Sequence, residues 1–422
     1  MAGDTAVEVH EAYEDLSSPD TFVPGVPFET FDKLRAEAPV YFHDEPGGPG
    51  FWCVTRYDDL VAVNRDNQLF SSNRKSALFM EQDEEMLAQQ RLMMLNMDPP
   101  MHTRYRLLVN KGFTPRMVGQ LEERARAYVN AMIDDVAEKG ECDFVTDIAA
   151  ELPLQVIAEV MGVPQEDRHL VFDWSNRMIG ADDPEYSSSP EAAFAASAEL
   201  YAYANQLASR KRANPDDDII SVLLQSEIGG DRLTELEFDL FFLLLAVAGN
   251  ETTRNLIAHG QLALMDHPDQ RARLIADPTL MPHAVDEMLR WGTPVMHFRR
   301  TAQRDTEIRG QRIAEGDKVV IFYISANRDE DMFDDPYRFD IGRTPNEHVA
   351  FGGGGPHFCL GANLARLEIR VMFEELLRRL PDMEPAGPVR RLRSNFINGI
   401  KHIPVQFTKV GRESAPRTIA VS

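Results

Sequence analysis

Apolar positions along this chain recur mostly at helical spacing. QLEERARAYVNAMIDDVAEKG, TDIAAELPLQVIAEVMG and PEAAFAASAELYAYANQLASRKRANP place them three and four apart, and each closes on Gly or Pro. That period dominates from Pro115 to about Met281. Strand-like stretches are shorter: FWCVTRY before the helical DDLVAVNRD, then TEIRGQRIAEGDKVVIFYIS, then the ending HIPVQFTKV. A Pro/Asp-rich meander leads to a glycine run, after which ANLARLEIRVMFEELLRRLP reads as a last long helix. The pattern predicts a mainly α protein with a smaller β portion. No repeat, low-complexity linker or composition break divides it, so residues 1–422 are expected to form a single domain. Residues 1–20 or so, and 411–422, are expected to be loosely ordered tails.

One segment departs from simple amphipathicity. Thr234 and Glu237 form a capping box ahead of FDLFFLLLAVAG, a run apolar all round, which belongs in the middle of a molecule. Its centre then holds Gly249, Asn250, Glu251, Thr252 and Thr253. Glycine alone costs about 1 kcal/mol in a helix interior. A close-packing neighbour or a functional groove would each account for it.

Composition narrows the possibilities. The net charge of −24 argues against a general nucleic-acid binder. The acidic start lacks a signal peptide's cationic and apolar regions, and the longest apolar run is about half of the ~20 residues a membrane span needs. Three widely spaced cysteines, Cys53, Cys142 and Cys359, form no disulfide framework. The expectation is a cytoplasmic protein with no membrane span.

Candidate chemistry gathers at HVAFGGGGPHFCLGANLARLEIR. A phosphate cradle would want Gly-Lys-Ser/Thr at the helix start, and the lysine is missing. A zinc or iron–sulfur centre needs about four soft ligands. A buried structural cysteine leaves the glycines unexplained. What remains is a thiolate, favoured by a helix N-terminus, ligating one large metal cofactor. Glycines would let the backbone lie flat against a planar macrocycle.

This loop resembles the haem-binding loop of the cytochrome P450 family, Phe-Gly-x-Gly-x-His/Arg-x-Cys-x-Gly. Gly353, Gly355, His357, Cys359 and Gly361 fall in register, while Phe351 stands one residue further off. The likeness runs from about Phe28 to Phe407 and implies the cytochrome P450 fold. It implies a non-covalent haem b with Cys359 as axial ligand of the iron and O2 as co-substrate. His102 and Arg106 after Pro99-Pro100, with Arg300 and His357, are then propionate contacts. Ala248 and Gly249 shape an oxygen groove, where Thr252 and Glu251 handle protons. Glu287, Arg290 and Arg338 form a structural network.

The same resemblance implies a monooxygenase fed by a separate ferredoxin and ferredoxin reductase, with Arg104, Lys111, Arg116, Arg366 and Arg370 as a basic patch for docking. Leu78, Phe79, Met94, Leu244, Val247, Ala248, Val295, Met296, Phe298, Phe396 and Ile397 are substrate-facing candidates. They carry no charge, which favours a lipophilic substrate. LNMDPPMHTRYRLLVNKGFTP, GECDFVTDIAAELPLQVIAEVMGVP and RSNFINGIKHIPV are similar to actinobacterial hydroxylases of sterol side chains and methyl-branched lipids. Terminal hydroxylation of such a chain is the expectation, with natural-product tailoring as the alternative. A non-catalytic haem sensor or store would have no use for Glu251-Thr252.

Overall fold

The helix Glu235–Asp266 runs for 32 residues through the middle of the helical layers. Its start is fixed as the sequence predicts: the Glu237 N–H donates to the Thr234 hydroxyl, and the Glu237 carboxylate accepts from the Thr234 N–H. Buried side chains then surround it from Phe238 to Ala246, which only a helix enclosed by others can satisfy. The helices Glu151–Met161, Arg168–Ile179, Pro190–Ala213, Met281–Gly292 and Ala362–Arg379 pack on it. This computed structural model describes residues 13–413 except 114, 187, 188, 217, 229 and 230; a few more side chains, Lys111 among them, also lie outside the description.

The stretch TDIAAELPLQVIAEVMG divides in two, a π-helical turn Val145–Ala149 and the α-helix Glu151–Met161. Pro153 occupies the third position of that helix, where no intrahelical amide bond is lost. Short strands Glu141–Asp143, Glu227–Ile228 and Asp231–Arg232 interrupt the stretch read as helical. Among the described residues, no helix is long and apolar enough to cross a membrane.

The main sheet lies to one side. Val40–His43 pairs antiparallel with Phe51–Val54, and Lys318–Phe322 joins the latter in parallel. His297–Ala302 and the edge strand Phe70–Ser71 complete it, both antiparallel. Lys318–Phe322 is buried at every position, which requires cover on both faces. Part of that cover is a segment expected to be a loose tail. Leu16 is buried with Phe22, Phe31 and Phe51, and its N–H donates to His43 Nε2 at 3.1 Å. Residues 13–20 are therefore anchored, while 1–12 and 414–422 lie outside the described residues.

Between Asn327 and Gly361 the chain forms neither helix nor strand, so its carbonyls need other donors. Arg290 supplies them. Its guanidinium donates to the carbonyls of Asn327 and Pro336, both at 2.9 Å, and of Arg338 at 3.3 Å, while holding Glu287 through two 2.8 Å bonds. Glu287 also accepts from Asp340 N at 3.0 Å and Asn346 Nδ2 at 3.1 Å. The second arginine on Glu287 is Arg343, at 3.2 Å. The expected place of Arg338 is corrected: its side chain is exposed, and only its carbonyl takes part.

Candidate functional site

The meander delivers the glycine run in an unusual conformation. Gly352, Gly353, Gly354 and Gly355 all have positive φ, from +60° to +103°, where any Cβ is strained. The tight path brings the Cys359 N–H within 2.9 Å of the Phe351 carbonyl. The additional glycine is thus absorbed in the loop, and Phe351 stays buried under the Arg366 guanidinium, 4.7 Å over its ring. The expectation that these glycines clear space for a planar group is corrected at Gly353 and Gly355. A Cβ on Gly355 would stand 2.4 Å from the Asn64 carbonyl oxygen, and one on Gly353 would stand 3.1 Å from Val349. Gly361 differs: its φ is −84°, and apart from its chain neighbours no atom of the described residues lies within 4 Å of where its Cβ would be.

Cys359 is accessible, yet protein crowds its sulfur. Desolvation raises the thiol pKa, against the Gly361 N–H and the guanidinium groups of Arg106 and Arg366. Burial wins, so the helix terminus alone does not ionise it. A metal cation bonded to the sulfur would.

Beside the loop, positive groups converge. The helix Met101–Val109 carries His102 and Arg106 one turn apart. The His102 ring lies 4.2 Å from that of His357, and Arg106 Nη1 reaches the Pro356 carbonyl at 3.4 Å. Arg300, buried on strand His297–Ala302, donates to Asn64 Oδ1 at 2.9 Å and to the Arg299 carbonyl at 2.7 Å. Among the described residues none of these four makes an ion pair with a carboxylate, and His357 Nε2 is buried without a partner. Burial, then Arg106 and Arg300, press the His102 pKa down to about 4; burial, then Arg300 and His102, press His357 well below its usual value. Such a cluster is costly unless anions meet it.

On the central helix, Leu244, Val247, Ala248 and Thr252 form an accessible stripe where most neighbours are buried. The Thr252 hydroxyl donates to the Ala248 carbonyl at 2.7 Å, leaving its lone pairs free. Gly249 lies off that stripe, and a Cβ there would be 2.6 Å from Ile157 Cδ1. Its expected part in the groove is corrected to one of helix packing; Ala248 is the small residue on the accessible side. Glu251 is turned about 100° from Thr252. It is buried and ion-paired with Arg254, which donates to Asn176 Oδ1 at 2.9 Å. Burial raises the Glu251 pKa and Arg254 opposes it. Among the described residues, Glu251 Oε1 and both polar atoms of the Asn250 side chain lack partners.

The apolar candidates divide. Val295 and Ile397 form an isolated β-bridge, and the Phe298 and Phe396 rings stand 5.6 Å apart, so these four come together. Leu78 is half-buried, and Met94 is buried in the helical core. Phe79 packs 5.0 Å from Phe51, with Lys318 Nζ 4.0 Å over its ring. Met296 is corrected: alternation turns it away from Val295 into the sheet core with Phe31 and Phe322. The basic patch also shrinks. Arg366 pairs with Asp286 at 2.9 Å and Arg370 with Glu122 at 2.7 Å, while Lys111's side chain lies outside the described residues. Arg104 and Arg116 are exposed, near in sequence to the exposed Leu107.

Sequence reasoning missed Asn64, which braces Arg300 from 236 positions away, and Tyr323, which in turn hydrogen-bonds Asn64. No local motif marks them. Arg254 was legible as the i,i+3 partner of Glu251.

An accessible cysteine at a helix start, four cationic or imidazole groups without a carboxylate, and an open side at Gly361 together fit a haem with two carboxylates. A family model described as Cytochrome P450 matches residues 192–385. The steroid C26-monooxygenase of Rhodococcus jostii (strain RHA1) is 46% identical over 402 residues, covering 93% of this chain and 84% of that protein. The methyl-branched lipid omega-hydroxylase of Mycobacterium tuberculosis (strain ATCC 25618 / H37Rv) is 44% identical over 389 residues, 90% of each chain. Among solved structures, a Mycobacterium marinum cytochrome P450 in complex with pseudoionone superposes with a TM-score of 0.88 at 42% identity, covering 94% of this chain and 99% of that one.

Proposed function

The chain belongs to the cytochrome P450 family, and on that premise we propose that it hydroxylates the terminal carbon of a steroid side chain or a methyl-branched lipid. The observation that carries the substrate class is the stripe Leu244–Val247–Ala248, accessible and uncharged on an otherwise buried helix. The relatives named above act on two such lipids, and their likeness to this chain supports the same class here.

Haem b, held non-covalently, supplies O2 activation and C–H oxidation when bound. The chain supplies the rest. Cys359 would ligate the iron. His102, Arg106, Arg300 and His357 would hold the two carboxylates, which relieves their own unpaired charge. Thr252 offers hydroxyl lone pairs on the accessible side. Glu251, its pKa raised by burial and opposed by the Arg254 guanidinium, would be the carboxyl that passes protons from solvent toward the Thr252 side of the helix. Apolar walls exclude water and orient an extended substrate end-on.

Two electrons would come from a small acidic iron–sulfur protein, a ferredoxin served by its reductase, in the cytoplasm. Arg104, Arg116, Leu107 and Phe358 are each exposed and would offer that partner cations and apolar surface.

The test is a panel of sterols with intact side chains, methyl-branched fatty acids and polar macrolides offered to purified holoenzyme. Sterols and branched lipids should shift the iron from low to high spin, and the product should carry oxygen on the terminal carbon. Shifts by macrolides alone, or oxygen on a ring carbon, would overturn the proposal. A reduced, carbon-monoxide-bound Soret band at the histidine position would remove Cys359 as ligand.

A further inference from the structure

The C-terminal part of the central helix borders a cavity of about 250 Å³ whose wall does not include Cys359. Leu262 on its wall lies about 20 Å along the helix axis from Ala248. None of the residues assigned above to haem, oxygen or substrate lines it.

Its wall is chemically unusual for so acidic a chain. Arg328 is 2% exposed and sits in an aromatic nest, 4.4 Å from the Trp291 ring and 5.1 Å from that of Phe28. Two of its nitrogens bond main-chain carbonyls of Arg290 and Trp291, but Nε is buried with no partner among the described residues. Arg391 also lines the cavity, and its guanidinium makes no hydrogen bond or ion pair among the described residues. Asp266, exposed on the wall, is the acidic group that Arg391 feels. His259 is kept neutral by burial and by Arg391, with its Nε2 against the Asn398 carbonyl at 2.8 Å. Two guanidinium groups against one carboxylate leave the cavity one positive charge in excess.

We propose that this cavity is a second binding site, for a small monocarboxylate with a flat apolar body. A single free guanidinium matches a carboxylate through two parallel N–H bonds. Asp266 disfavours a dianion such as phosphate. Phe28, Leu262 and Trp291 give the wall apolar area for such a body, and the volume admits a ligand of roughly ten non-hydrogen atoms, below the usual range for drug-sized pockets. The isosteric neutral amide would lose the charge-assisted pair and bind less well.

The probe is benzoate, titrated into holoenzyme by calorimetry and followed with fluorinated benzoate by fluorine NMR. Saturable one-to-one binding is expected with a Kd below about 1 mM, with benzamide at least about tenfold weaker. Arg391→Gln should weaken benzoate about tenfold or more, and Arg391→Lys should recover part of that loss. The Soret band should stay in place, and an azole that coordinates the iron should leave benzoate bound. The proposal fails if binding does not saturate, if Arg391→Gln binds benzoate as tightly as the native chain, or if the azole displaces it.

Discussion

Arg343 Nε lies 3.2 Å from the Glu287 carboxylate, a contact made across 56 residues of chain. It completes the ion network that Glu287 begins with Arg290, both of whose side chains have no exposure at all. Arg343→Ala should cost about 2–3 kcal/mol in urea unfolding, because it leaves a buried carboxylate short of one cation. Arg338→Ala should stay within about 0.5 kcal/mol, since its guanidinium is exposed. Equal losses would return Arg338 to the network.

Two glycines of one loop should respond in opposite ways. Gly355→Ala meets both a φ of +78° and the Asn64 carbonyl at 2.4 Å, so unfolding free energy should fall by about 2–4 kcal/mol. Gly361→Ala meets neither, and the apoprotein should be nearly as stable as before. Its methyl group would nevertheless enter the accessible side next to Cys359, so hemin titration should show weaker binding. Native affinity in Gly361→Ala would place the cofactor elsewhere.

Arg300→Met should move two measurements in opposite directions. Hemin affinity should fall about ten- to a hundredfold, or about 1.4–2.8 kcal/mol, as one carboxylate contact is lost. The apoprotein should be as stable or more so, because a buried cation without a counter-ion has been removed. A large loss of apoprotein stability would show that the Asn64 and Arg299 bonds are the main business of Arg300.

His102 gives a pH test with a defined sign. Its folded pKa of about 4 lies below the unfolded 6.5, so its stability contribution is complete above 6.5 and is lost as pH falls toward about 4. Apoprotein unfolding free energy should therefore drop across that window. His102→Gln should reduce the drop, and bound hemin should reduce it too, since carboxylates favour the protonated ring. An unchanged slope in the variant would discount His102.

Arg254→Gln should shift the pH dependence of coupled turnover. Arg254 alone among the causes lowers the Glu251 pKa, against a burial that raises it. Without the cation, the kinetic limb reporting this carboxyl should move to higher pH, with slower kcat and little change in substrate affinity. A limb that stays put would take Glu251 out of proton delivery.

Local order was written plainly in the chain. The capping box at Thr234 and Glu237, the strands around Phe51 and Val319, and the helix after Cys359 all formed where spacing and caps predict. The reading of Gly249 shows where such reasoning stops: a poor helix former was visible, but the neighbour that requires it, Ile157, was not. Arg343, Asn64 and Tyr323 were hidden for the same reason, since each reaches its partner across tens to hundreds of residues without a motif.

What the chain determined by itself was the inventory: which helices form, which thiol stands free at a helix start, and which cations exist to meet two carboxylates. Propensity, capping and left-handed glycine geometry act over a few neighbouring residues, so they can be read without a partner in view. Which side of the central helix stays accessible, which arginine closes on Glu287, and which guanidinium groups are left without an anion were decided only by packing. Those outcomes depend on burial and charge separation between distant segments, quantities that do not exist until the elements have met.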